Sequence, residues 1–310
     1  MPDIVITEFM DEAAVDSLRA RFDTLYDPEL VDKGGELARA AETARALIVR
    51  NRTKVRGALL EGSGNLSCVG RLGIGLDNID VDACEARGIA VYPASGANDV
   101  SVAEYVVTAA LLLLRGAWLA TPSVIAGEWP RQRLIGREAS GKRLGLVGFG
   151  SIARQTARRA SALGFSVAAF DPLLPVDQPA WREVERLDLA ALLARSDVVS
   201  LHVPLTQTTR NMIDGEALKA MKAHAILINS SRGGVVDEDA LASALRENRI
   251  GGAALDVFET EPIDGASGAK FAGLGNLILT PHIAGVTDES NVRVSAVTAE
   301  NVRKHLEALT

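Results

Sequence analysis

The reactive side chains of this chain stand in short runs beside glycines. One run, Gly148-Phe149-Gly150-Ser151-Ile152-Ala153, has the GxGxxA spacing. It follows the apolar stretch Leu144 to Val147 and opens an Ala- and Arg-rich helical pattern that reaches Leu163. In that strand, turn and helix context the spacing suits a dinucleotide. Gly148 permits the tight turn, Gly150 lets backbone approach a pyrophosphate, and Ala153 allows close packing of helix on strand. The amides at the N-terminus of the following helix then face the anionic phosphates. The next β-rich run ends in Asp171, 21 residues after Gly150. A carboxylate there accepts from both ribose hydroxyls and repels a 2′-phosphate, so NAD is expected rather than NADP.

In an open α/β sheet a ligand lies beyond the carboxyl ends of the strands. The expected strand ends supply His202-Val203-Pro204, Asn229-Ser230-Ser231-Arg232-Gly233-Gly234, Asp256-Val257-Phe258-Glu259 and Thr280-Pro281-His282. Hydride transfer to a bound dinucleotide needs an acid/base that titrates near neutrality, which histidine supplies. A substrate carboxylate calls for a planar cation that binds it through two hydrogen bonds, and Arg232 meets that need better than a lysine. Of the four histidines, His305 and His224 read as surface groups. His202 and His282 remain, and the residues alone do not separate them.

These runs need a parallel sheet to position them, and short β-branched stretches alternate with helical patterns almost throughout, as in an α/β protein. Strands are expected at Ile4 to Thr7, Ala46 to Val49, Cys68 to Arg71 and Ile89 to Val91. A second set follows at Leu144 to Val147, Ser166 to Phe170, Val198 to Leu201, Ala225 to Ile228, Ala253 to Leu255 and Leu277 to Leu279. The helical stretch from Asp99 to Trp118 joins the two sets, and the loop from Asp171 to Asp188 reads as irregular. The last segment, Thr287 to Leu309, is a single helical pattern with no strand beside it, so its apolar face is expected to return to the first sheet.

Composition narrows the partners. With 310 residues, 47% of them hydrophobic, the chain suits two domains, and a net charge of −7 leaves no basic footprint for nucleic acid or an anionic membrane. The most apolar run, Val102 to Leu114, contains Glu104 and is shorter than the ~20 residues of a bilayer span. Met1-Pro2-Asp3-Ile4 does not read as a signal peptide, so a cytoplasmic protein is expected. Cys68 and Cys84 have neither CxxC spacing nor clustered histidines; they read as structural thiols, and no metal is expected.

The chain resembles the D-isomer-specific 2-hydroxyacid dehydrogenase family over nearly its whole length. The resemblance rests on Gly70-Arg71-Leu72-Gly73-Ile74-Gly75-Leu76-Asp77-Asn78-Ile79-Asp80, the dinucleotide fingerprint, Asn229 to Gly234, Asp256-Val257-Phe258-Glu259-Thr260-Glu261-Pro262, and Thr280-Pro281-His282-Ile283-Ala284-Gly285. It implies two doubly wound parallel-sheet domains. A Rossmann NAD-binding domain, residues 99–285, is inserted into a flavodoxin-like substrate domain formed by residues 1–98 and 286–310, with a hinge between them. His282 is implied as acid/base, Glu261 as its hydrogen-bond partner, and Arg232 as the group that orients the substrate carboxylate and polarises the oxo group. Cofactor contacts are implied from Ile74, Gly148, Gly150 to Ile152, Asp171, Val203, Ser230, Ser231, Arg232, Asp256, His282, Ala284 and Gly285. The substrate carboxylate is expected to meet amides around Leu72, Gly73, Ile74 and Gly75. Dimerisation through the Asp99 to Lys142 region is implied as well. Departures are small: Ala153 replaces the third glycine, and Ser230-Ser231 replaces the commoner Thr-Ala.

Arg50-Asn51-Arg52-Thr53 follows a strand and resembles the substrate-phosphate loop of phosphoglycerate dehydrogenases, so a distal phosphate, sulfonate or carboxylate is expected on the substrate. Asn51 and the Gly127 to Gln132 segment resemble sulfolactate dehydrogenases most. The chain ends at Thr310 directly after the last helix, so the regulatory domain that some phosphoglycerate dehydrogenases append is not expected; relatives of this fold also act as NAD-sensing modules of the corepressor type, but these usually add disordered tails, which the sequence does not show.

Overall fold

The computed structural model describes residues 2–116 and 120–309. The chain divides into two compact units, Met1–Asn98 with Val286–Thr310, and Asp99–Gly285. Both are α/β units built on parallel sheets, the fold class expected from the alternating patterns.

The first unit's strands are β1 (Ile4–Ile6), β2 (Thr24–Tyr26), β3 (Ala46–Val49), β4 (Cys68–Arg71) and β5 (Ala90–Pro93). All pairs are parallel in the order β2-β1-β3-β4-β5. The chain reverses its direction of winding between β1 and β3, so a crevice opens beyond the carboxyl ends of those two strands. Strands β1 and β3 are uniformly buried, as unbroken apolar runs in a parallel sheet should be. Strand β2, absent from the expected set, lies at the edge and is only partly buried, which is why its sequence carries little apolar signal. The final helix, Asp288–Glu307, starts with a reciprocal capping pair: the Ser290 amide donates to Thr287 Oγ1 at 3.1 Å and the Thr287 amide to Ser290 Oγ at 2.9 Å. It packs Val294, Ala299, Val302 and Leu306 among Ile4, Ile48 and Cys68. Contact with β4 is close because residue 70 is glycine; a Cβ there would lie 2.8 Å from the methyls of Thr298 and Val302.

The second unit's strands are β6 (Arg143–Val147), β7 (Ser166–Phe170), β8 (Glu185–Arg186), β9 (Val198–Leu201), β10 (Ile226–Asn229), β11 (Gly252–Leu255) and β12 (Leu277–Leu279). Their order, β12-β11-β10-β9-β6-β7-β8, is that of a doubly wound dinucleotide fold with one strand added, and its switch point lies between β6 and β9. The two-residue β8 falls in the stretch read as irregular. The helix Asp99–Arg115 packs Val102, Val106 and Ala110 against Leu146, Ala153 and Ala157. Its expected end at Trp118 lies outside the described residues. No helix among the described residues is long and apolar enough to cross a membrane.

Candidate active site

The turn after β6 is built for close approach. Gly148 has φ +87°, and a Cβ on it would sit 2.6 Å from the His202 carbonyl oxygen, so only glycine lets the β6 and β9 loops meet at the switch point. A Cβ on Gly150 would meet nothing within 4 Å. Gly150 also caps the helix Ser151–Ala162 without a side-chain acceptor, which leaves that helix's first amides open to an anion. Asp171 follows β7, and its carboxylate accepts the amides of Phe149, Leu173 and Leu174 at 2.9, 2.9 and 3.2 Å, beside the same turn. Beyond β10 the Ser230 hydroxyl is buried with no partner. A closely approachable turn, an uncapped helix end and an unsatisfied hydroxyl fit a dinucleotide.

The second group of site residues follows β10, β11 and β12. Arg232 sits in a loop tied together by Asn229, whose Nδ2 donates to the Arg232 carbonyl at 2.9 Å and whose Oδ1 accepts from the Ser231 amide and hydroxyl at 3.0 and 2.8 Å. Next to it, a Cβ on Gly233 would fall 1.7 Å from the Phe258 carbonyl oxygen, so this loop lies directly on the segment leading to Glu261. Glu261 Oε1 accepts the Phe258 amide at 2.9 Å and Oε2 meets His282 Nδ1 at 2.7 Å. Burial alone would push the Glu261 carboxyl up, but the hydrogen bonds from His282 and Phe258 and the charge of Arg232 hold it below the usual glutamate range. His282 has φ +57°, a conformation uncommon outside glycine. It is maintained by Asp256, whose carbonyl accepts the His282 amide at 2.9 Å and whose carboxylate accepts from Thr280 Oγ1, the Ile283 amide and the Ala284 amide at 2.6, 2.8 and 2.8 Å.

The two histidines left open by the residue pattern now differ. His202 bonds Ser200 Oγ through Nε2 at 3.0 Å, and desolvation lowers its pKa to about 4, so it stays neutral at physiological pH. Of these two, His282 is the one with a carboxylate partner, and the charge of Arg232 acts on that carboxylate.

In the first unit the loop Arg50 to Thr53 follows β3, at the β1/β3 switch point. Arg50 Nη2 donates to Asn291 Oδ1 at 2.6 Å and its guanidinium lies 5.8 Å from the centre of the Phe9 ring, while Arg52 pairs with Asp32. Asn51 is exposed. In the neighbouring loop after β4, the Arg71 guanidinium donates to the carbonyls of Gly75 and Leu72 at 2.8 and 2.6 Å. The Leu72 and Gly73 amides are used within the chain, on Val49 O and Arg71 O, both at 2.8 Å. Asn78 Nδ2 joins the two loops by donating to the carbonyls of Thr53 and Arg50 at 2.6 and 3.3 Å. Reading the residues alone missed Glu8 and Asn291, and it brought Asn229 and Thr280 to the strand ends without giving either a role of its own. The strand-end criterion that located Arg232, applied to the first sheet as well, would have reached Glu8.

Sheet order, turn and paired imidazole together define an oxidoreductase of the two-domain, dinucleotide-dependent class. A model of the "D-isomer specific 2-hydroxyacid dehydrogenase, NAD binding domain" matches residues 107–284. The chain belongs to the D-isomer-specific 2-hydroxyacid dehydrogenase family, with the NAD dependence and the 2-hydroxyacid oxidoreduction that its motifs led one to expect. It is 57% identical over 307 residues to the (S)-sulfolactate dehydrogenase of Chromohalobacter salexigens, covering 99% of each chain. To the D-3-phosphoglycerate dehydrogenase of Methanocaldococcus jannaschii it is 38% identical over 307 residues, 99% of this chain but 58% of that one. Among solved structures, D-lactate dehydrogenase from Aquifex aeolicus complexed with NAD and lactic acid matches with a TM-score of 0.85 at 28% identity, over 98% of this chain and 96% of that one.

Proposed function

We propose that the substrate is a 2-hydroxy or 2-oxo acid with a distal anion, and that the pair interconverted is 3-sulfolactate and 3-sulfopyruvate. NADH supplies the hydride. Arg232 takes the substrate carboxylate and stabilises the alkoxide that develops as the oxo group is reduced. His282 delivers the proton to that oxygen through Nε2, because Nδ1 is engaged by Glu261; in the oxidative direction it takes the proton back. Glu261 is the positioning residue that holds Nδ1 and so fixes the tautomer and orientation of the ring. The main-chain amides of Ile74 and Gly75 receive the carboxylate, while the Gly148 to Ile152 turn, Asp171 and Ser230 hold the cofactor. The carrying observation is the His282–Glu261 pair at 2.7 Å with the charge of Arg232 acting on the same carboxylate.

The distal anion is assigned to Arg50. What supports this is its place at the switch point of the first sheet and its anchoring by Asn291, which make it a fixed guanidinium rather than a loose surface charge. Arg50→Ala should lower kcat/KM for 3-sulfopyruvate by one to two orders of magnitude, the worth of about 1.5–3 kcal/mol for a charge-assisted contact, and leave pyruvate, which lacks the distal group, nearly unchanged. Equal losses on both substrates would refute the assignment. The functional form is a cytoplasmic homodimer; the free, buried Cys68 and Cys84 suit a reducing compartment.

A further inference from the structure

The switch point of the first sheet also carries a carboxylate with no part in hydride or proton transfer. Glu8 follows β1, is 4% exposed, and accepts the amides of Arg50 and Thr53 on Oε1 at 2.9 and 3.0 Å and the amide of Arg52 on Oε2 at 3.1 Å. Convergent main-chain amides beyond the carboxyl end of a strand are what a phosphate-binding nest is made of. Here the chain's own carboxylate occupies them. The loop therefore has no amide cluster to offer an incoming anion. Arg52 is turned to Asp32, which leaves the Arg50 guanidinium, held between Asn291 and Phe9. Burial pushes that guanidinium down from its ordinary value, and the charge of Glu8 works against the shift.

We propose that Glu8 is a specificity-determining residue: by filling the amide nest and placing a negative charge behind Arg50, it makes the distal site accept a monoanionic sulfonate and reject a dianionic phosphate. This rests on the reading of Arg50 as the distal-anion ligand. Before binding, Glu8 and Arg50 cancel. A sulfonate leaves the local sum at one negative charge and a phosphate dianion at two, and beside a carboxylate as buried as Glu8 the extra charge should cost on the order of tenfold in affinity. The three amides, already satisfied, cannot repay it.

The test compares kcat/KM for 3-sulfopyruvate and 3-phosphohydroxypyruvate in the wild-type protein and in Glu8→Gln. The wild type should prefer the sulfonate by about tenfold or more. Glu8→Gln keeps an oxygen for the Arg50 and Thr53 amides but loses the charge, so the preference should shrink by about the same factor, chiefly through a lower KM for the phosphate. Losses that are equal on both substrates would show that Glu8 only shapes the loop, and the proposal would be overturned. Arg50→Ala, measured beside it, separates the two failures. No selective loss on sulfopyruvate there removes the distal-anion reading, whereas a selective loss with an unchanged preference in Glu8→Gln removes only the role of Glu8. If Glu8→Gln does not fold, the wild-type protein still decides. The monomethyl ester of 3-phosphohydroxypyruvate, larger but singly charged, should be used better than its parent, and a poorer result with the ester would overturn the proposal.

Discussion

In the proposed reaction His282 and Glu261, whose Nδ1 and Oε2 lie 2.7 Å apart, would divide the work of one proton transfer: the imidazole would carry the proton and the carboxylate would decide which nitrogen presents it. Removing either should leave a different signature. His282→Ala should reduce turnover by about 10²- to 10⁴-fold, the usual worth of a positioned acid/base, with NADH affinity, measured by fluorescence titration, nearly intact. Glu261→Gln keeps a hydrogen-bond acceptor but loses the charge. Turnover should then fall at neutral pH, and the acid limb that Glu261 gives the wild-type pH–rate profile should be absent. The sign follows from Glu261 itself. Its carboxyl is held below the ordinary range, so its support is present above that range and disappears only as pH falls through the lowered value. A pH–rate profile that did not move in Glu261→Gln would mean that this pair does not govern the reaction. The choice between His202 and His282 could not be made from residue type or spacing, because it depends on burial of the one and on a partner 21 positions away for the other.

At the scale of elements, the amino ends of the second unit's strands are stapled by one carboxylate. Asp197, just before β9, accepts the Arg143 amide at 2.8 Å, Lys222 Nζ at 3.1 Å and His224 Nε2 at 3.0 Å, joining the entries to β6 and β10. Burial would raise its pKa, but the Arg143 amide and the His224 and Lys222 contacts lower it to about 2 from 3.8. A depressed carboxylate contributes stability that is fully present above the unfolded value and is lost as pH falls toward the folded one. Asp197→Asn should therefore cost roughly 2 kcal/mol at pH 7 in urea unfolding, with the difference from the wild type closing between about pH 4 and pH 2 and with kcat retained. A constant difference across that window would show that the loss is packing rather than ionisation. Strands that are unbroken apolar runs, such as β3 and β9, were legible because parallel strands are buried on both faces. Strands β2 and β8 were not: β2 is a half-exposed edge, and the two residues of β8 cannot display a period. The glycine-rich turn was legible because its spacing is dictated locally. The Glu8 contacts with the Arg50 loop were not, since they join residues more than 40 positions apart.

At the scale of the whole molecule, an exposed apolar stretch bears on the proposed dimer. The segment after the helix Asp99–Arg115 exposes Ile125, Trp129 and Ile135 at 81, 76 and 73%. Three large apolar side chains, each about three-quarters exposed or more within one short stretch, are costly on a monomer and ordinary in a dimer interface. They fall inside the Asp99 to Lys142 region expected to dimerise. For the proposed dimer, sedimentation equilibrium at micromolar concentration should give twice the chain mass. Trp129→Asp combined with Ile125→Asp should shift the equilibrium toward single chains, because a charge buried in an apolar contact has no partner there. Far-ultraviolet circular dichroism should change little, since none of these side chains belongs to the buried core. A single-chain mass for the wild-type protein would refute the dimer outright. A double mutant that stayed dimeric would move the interface elsewhere on the surface and leave the exposed apolar stretch as a docking face for something other than a second copy.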